Sequence, residues 1–244
     1  MRGFLKLLIY PLLEALCPRV VVEVGADLGG TTDALAEWAR ANGAVVHAID
    51  PDPTLSVERL VAEHGERLRF HRSRSLDVLG EIANVDLTLI DGDHNWYTVT
   101  HELRLLEERA RRDGNEPPVV LLHETGWPYG RRDTYEDPEA IPEAYRQPHA
   151  RGGLVPGRAE LGPGLNDHRQ HALLDDTPAN GVLTAAEDFI AAAPERWRRW
   201  TILLRAILML PNLLRPISGV GPGQAVGGEV VVGGARRRGL ACGH

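Results

Sequence analysis

Short apolar runs recur through the first half of the chain, and segments with helical spacing lie between them. The runs are Val20–Val24, Ala44–Ile49, Leu68–Phe70, Asp86–Ile90 and Pro118–Leu122. Runs that do not alternate apolar with polar are expected of strands covered on both faces, as in a parallel sheet. Between them, Leu35, Trp38 and Ala39 form one helical stripe and Leu55, Leu60 and Val61 another, and Leu76–Ile82 reads as a short helix. Trp96, Val99, Leu103 and Leu106 lie at three- and four-residue steps on a longer helix that Gly114 ends. Thr31 or Thr32 is the expected cap of the first of these helices and Gly43 its stop. The opening MRGFLKLLIYPLLEAL predicts a helix ahead of the first strand; Pro11 and Glu14 interrupt it and no small-residue cleavage site follows, against a signal peptide.

The alternation stops at Thr125. As far as Asn180 the chain is rich in Pro, Gly, Arg and Asp, yet it carries Trp127, Tyr129, Tyr135 and Tyr145. A segment this long inside a domain is expected to be a lid, and its aromatics argue against disorder. Helical spacing resumes over Val182–Ala193, and Trp197–Leu210 could supply the last strands. Residues 215–244 are glycine-rich and read as a flexible tail, with Glu229–Val232 able to add an edge strand. The expectation is an α/β chain: a Rossmann-like, doubly wound, mostly parallel sheet over residues 1–214, with a lid inserted at 125–180.

Composition narrows the function. A chain of 244 residues suits one domain, and its net charge of -7 argues against nucleic acid as a partner. Thr201–Leu214 is apolar but short and holds Arg205 and Pro211, so stable membrane insertion is not expected. Cys17 and Cys242 lie near opposite ends without metal or redox spacing, which suggests a reducing cytoplasm and no cysteine nucleophile. Oligomeric state is not legible, and a homo-oligomer is compatible with all of this.

The glycine turn after the first strand carries the first chemical signal. Gly25, Gly29 and Gly30 remove side chains where the backbone turns sharply, and Asp50 stands beyond the second strand, where a carboxylate can accept from a ribose diol. A dinucleotide turn would need glycine in place of Asp27, whose charge would face a diphosphate. S-adenosylmethionine carries no phosphate and is cationic at its amino and sulfonium groups, so acids here suit it. Glu23-x-Gly25-x-x-x-Gly29 resembles the first motif of class I S-adenosylmethionine-dependent methyltransferases, with Asp27 where many members carry glycine. Glu23, Gly25, Asp27 and Gly29 are therefore expected around the methionine part of the cofactor, Asp50 at the ribose, and Ser73, Ser75 and Asp91 nearby.

The second signal is the pair of strand ends IDGDH, Ile90–His94, and LLHET, Leu121–Thr125. Carboxyl ends of parallel strands open on one edge, so Asp91, His123 and Glu124 should converge on a site able to hold a divalent cation, with Asp93 close by. Carboxylates and water suit Mg²⁺ or Mn²⁺, while an imidazole tilts the choice towards a softer transition metal. A cation there would acidify and orient a hydroxyl for methyl transfer, with Asp91 and His94 as catalytic candidates and His94 as the base. The competing reading is that Asp91, Asp93 and His94 only cap the helix starting near Trp96. His168 and His171 could face a substrate or lie in a solvated loop.

These strand ends resemble those of the metal-dependent O-methyltransferases, among them macrocin and other sugar methyltransferases of antibiotic biosynthesis, catechol O-methyltransferase and cephalosporin-hydroxylase-like proteins. The resemblance spans about Val20 to Glu124 and implies metal, first of all Mg²⁺, on Asp91, His123 and Glu124, with a base at His94. His123 departs from the acidic residue usual there. It implies methylation of a small-molecule hydroxyl, on an acceptor that the lid residues Arg131, Arg132, Arg146 and Arg151 would make sugar-like or anionic. The alternatives are a metal-independent N- or C-methyltransferase, an NAD-linked oxidoreductase, and a binding protein without chemistry.

Overall fold

The structure is a computed structural model that describes residues 1–192, 197–202 and 229–234. Five strands follow the apolar runs: β1 (Val20–Val24), β2 (Val45–Ile49), β3 (Leu68–His71), β4 (Leu87–Ile90) and β5 (Val119–Leu122). Helices α1 (Tyr10–Leu16), α2 (Gly30–Asn42), α3 (Val57–His64), α4 (Ser75–Val78) and α5 (Trp96–Arg112) separate or precede them. The lid holds β6 (Thr134–Tyr135), β7 (His149–Arg151) and β8 (Gln170–Ala172); then come α6 (Val182–Ala192), β9 (Trp197–Ile202) and β10 (Glu229–Gly234).

The seven-stranded sheet has the order β3-β2-β1-β4-β5-β10-β9. The first five strands are mutually parallel, and β10 runs antiparallel to both its neighbours. The sheet is thus doubly wound from β1, with one reversed strand. β10 does not form an edge: it sits between β5 and β9, within the stretch read as a tail. The remainder of 215–244, and the boundary at 214, lie outside the described residues.

Each face of the sheet carries its own core. Val22, Val24, Ile90 and Val120 pack with α5 and α6, while Val21, Val46, Leu87 and Leu121 pack with α1, α2 and α3. Alternation along β1 puts Glu23 on the side of Val21, facing α2. Its carboxylate accepts from the Thr32 hydroxyl at 2.6 Å, deep in the core. That contact corrects the expected cap: α2 begins on Gly29, without a side-chain cap, because the hydroxyl of Thr32 turns inward to Glu23.

The lid is no open loop. β8 pairs antiparallel with β6 and β7 in a small sheet. Arg132 is buried at its centre and donates to the carbonyls of Ala172 and Ala159, both at 2.7 Å. Asp133, also buried, takes the Trp96 amide at 2.7 Å, the Gly181 amide at 2.6 Å and the Tyr135 hydroxyl at 2.8 Å, tying the lid to the start of α5. Such polar networks leave no hydrophobic period to read, which is why the sequence shows none. Among the described residues, no helix is long and apolar enough to cross a membrane.

Candidate active site

Strand register alone assembles the site. Val24 is paired with Ile49 on one side and Ile90 on the other, and Ile90 with Leu122. The residues one step further, Gly25, Asp50, Asp91 and His123, therefore share one rim. Backbone bonds extend the ladder across it: the Gly25 amide donates to Ile49, the Asp91 amide to Val24 and the His123 amide to Ile90.

Gly25 answers to this closeness. It lies at φ +87°, and a Cβ there would fall 2.2 Å from the Asp91 carbonyl oxygen. The side chain is excluded by the neighbouring strand end, not only by a ligand. Gly29, at φ +76°, would set its Cβ 3.0 Å from Leu55. Between them Asp27 adopts φ +43°, a left-handed conformation that Asp tolerates better than most residues. The amides of Ala26 and Asp27 both donate to Asp50 Oδ2 at 2.9 Å, and the Asp52 amide donates to Oδ1 at 2.9 Å. Asp50 thus clamps the glycine turn to β2 and keeps lone-pair capacity for a further donor.

Across the rim, His123 Nδ1 lies 3.0 Å and His94 Nε2 3.3 Å from Asp91 Oδ1. The Met1 ammonium lies 2.6 Å from Oδ2. Burial opposes ionisation of Asp91, but the two imidazoles and the ammonium outweigh it and hold the carboxyl well below the usual carboxylate range. Glu23 behaves oppositely: burial pushes its carboxyl up to about 8, so it is neutral at pH 7. Burial also raises Asp93, which accepts from the Thr98 hydroxyl at 3.2 Å. Glu124, at φ +58°, brings Oε1 to 3.7 Å from His123 Nδ1. Its Oε2 is buried without a hydrogen-bond partner among the described residues.

The capping alternative fails. Asn95 caps α5, accepting from the Thr98 amide at 2.8 Å, and Asp133 takes the Trp96 amide, so Asp91 and His94 are left to the rim. Ser75 departs from its expected place near the cofactor: its buried hydroxyl donates to Glu102 at 2.5 Å. Ser73 is half-buried on the loop after β3. His168 is exposed, whereas His171 is buried and stacks on Tyr129, which stacks in turn on His94 with ring centroids 5.5 Å apart. Tyr129 and Glu102 had no signal as site neighbours, since neither belongs to a strand end. Of the lid arginines, Arg131 pairs with Glu187, Arg132 with backbone carbonyls and Arg146 with Glu139, while Arg151 is exposed.

A doubly wound sheet with a glycine turn after its first strand and an acid clamped at the end of its second is a nucleoside-binding architecture. Residues 22–125 match a protein family described as a methyltransferase domain, and the strand order around them is that of a Rossmann-like, doubly wound sheet. No curated protein is significantly similar to the chain. Among solved structures, the methyltransferase PaMTH1 of Podospora anserina, bound to S-adenosylhomocysteine, is 14% identical over 92% of this chain and 75% of its own, with a TM-score of 0.47. The O-methyltransferase TomG of Streptomyces achromogenes, in complex with S-adenosylmethionine, is 14% identical over 94% and 78%, with a TM-score of 0.49. A methyltransferase of Geobacter sulfurreducens is 23% identical over 47% and 57%, with a TM-score of 0.34.

Proposed function

We propose that the chain transfers the methyl group of S-adenosylmethionine to a hydroxyl of a small molecule, assisted by a divalent cation on Asp91, His123 and Glu124. The observation that supports it best is the shared rim: the glycine turn, Asp50, Asp91 and His123 stand side by side by register. In this reading Gly25, Asp27 and Gly29 shape the seat of the methionine part, with the neutral Glu23 beneath it. Asp50 accepts from the ribose, and Ser73 lies towards the adenosine. A cation here is supported by the donor cluster of Asp91, His94 and His123, whose ligand atoms lie within 4.8 Å of one another, and by Glu124 Oε2, buried without a hydrogen-bond partner among the described residues. A bound divalent ion would supply Lewis acidity to an acceptor hydroxyl. His94, held against Asp91 on one side and Tyr129 on the other, takes the hydroxyl proton.

With three lid arginines engaged inside the protein, the acceptor we propose is sugar-like and neutral rather than anionic. The assay uses polyhydroxylated acceptors with labelled S-adenosylmethionine. His94→Ala should bind S-adenosylhomocysteine like the parent, by calorimetry, yet turn over about 100-fold more slowly. Normal turnover in that variant would sink the base assignment.

A further inference from the structure

The rim holds an unusual share of nitrogen. Ligand atoms of Asp91, His94 and His123 all lie within 4.8 Å of one another. His123 Nδ1 stands between two carboxylates, 3.0 Å from Asp91 Oδ1 and 3.7 Å from Glu124 Oε1. Glu124 is not in that close set, so the atoms that one cation could reach together are those of Asp91, His94 and His123. Phe4 meets the His123 ring edge-on at 5.7 Å and limits its rotation. Two separate features show that this spot favours positive charge: the partnerless Glu124 Oε2, and the Met1 ammonium 2.6 Å from Asp91 Oδ2.

Mg²⁺ prefers a near-ideal octahedron of oxygen ligands and gives up water reluctantly. A mixed nitrogen and oxygen set holds the later divalent ions of the first transition row more tightly, and imidazole suits them well. We propose that His123 makes this a site for a borderline transition ion, such as Co²⁺ or Zn²⁺, in preference to Mg²⁺. The inference takes its location from the methyl-transfer reading but concerns metal choice alone. His123 is the selecting residue, because its Nδ1 lies 3.0 Å from Asp91 Oδ1, closer than His94 Nε2 at 3.3 Å.

The test is direct metal binding. Full-length protein is stripped with chelator and titrated separately with Mg²⁺, Mn²⁺, Co²⁺ and Zn²⁺ by calorimetry, and S-adenosylhomocysteine is titrated into the same preparation. Co²⁺ and Zn²⁺ should bind on the order of 100-fold more tightly than Mg²⁺, and the Co²⁺ protein should show visible ligand-field bands. In His123→Glu those bands should shift and the preference over Mg²⁺ should shrink to within about tenfold. Equal binding of Mg²⁺ and Co²⁺ by the parent protein overturns the proposal. So does a His123→Glu variant that is folded by circular dichroism and keeps the parent's preference. Binding of S-adenosylhomocysteine with no divalent ion bound overturns the metal choice and leaves methyl transfer standing. Intact Co²⁺ preference without S-adenosylhomocysteine binding supports the metal choice and counts against the methyl-transfer reading.

Discussion

Asp50 joins the fold to the cofactor site, so removing its carboxylate should disturb both. Asp50→Ala strips the acceptor from the amides of Ala26, Asp27 and Asp52, each now at 2.9 Å. A hydrogen bond to a charged group contributes about 1.5–3 kcal/mol when dry. Asp50 is half-exposed and water can replace part of the loss, so the loss of stability should be about 2 kcal/mol in all. For a domain of this size that lowers Tm by about 4–8 °C. The lost acceptor for the ribose should cost a further 1.5–3 kcal/mol of binding, or about a 10–100-fold weaker Kd for S-adenosylhomocysteine. Asp50→Asn keeps one oxygen for the two turn amides and should fall between on both scales. Calorimetric titration and thermal unfolding of the same preparations give the two numbers. A lowered Tm with unchanged Kd would show that the carboxylate serves only the turn; no change in either would refute the reasoning altogether.

Glu102 gives a pH test. Burial raises its carboxyl from 4.5 to about 8, so the folded state binds a proton that the unfolded chain has already released over that interval. Stability should therefore fall as pH rises from 4.5 to 8. Glu102→Gln should remove this part of the slope and stabilise the protein by on the order of 2–4 kcal/mol at pH 9, with little change at pH 4. Glu23, with its own carboxyl raised to about 8, keeps the remainder of the slope in that variant. Parallel melting curves for parent and variant across this range would overturn the argument. Asp133→Ala leaves two buried amides and the Tyr135 hydroxyl without their acceptor and should cost about 3 kcal/mol. It should also expose 125–180 to limited proteolysis; a lid as protease-resistant as the parent's would show that Asp133 does not hold it.

Much of the framework was readable residue by residue. The run VVVEV became β1 with only Val20 incompletely buried, and Trp96, Val99, Leu103 and Leu106 became the inner face of α5. Errors arose where a side chain had a choice of partners. Thr32 could have capped a helix but meets Glu23 across the core; Ser75 could have faced the cofactor loop but meets Glu102, on a helix that starts 21 residues later at Trp96. Local sequence offers both options equally, because hydroxyls hydrogen-bond wherever an acceptor arrives. The small sheet inside the lid was invisible for a related reason: Arg132 and Asp133 organise it through carbonyls and amides, groups that every residue has.

By itself, then, the amino-acid order determined which segments are strands and helices and which residues stand at their ends, since periods of about two and 3.6 residues are local properties of the chain. Only the tertiary structure decided that Thr32 meets Glu23, that Ser75 meets Glu102, and that β10 enters the sheet beside β5. Those outcomes depend on the register and order of strands distant in sequence. They are set by burying both faces of the sheet together, an energy that no single segment contains.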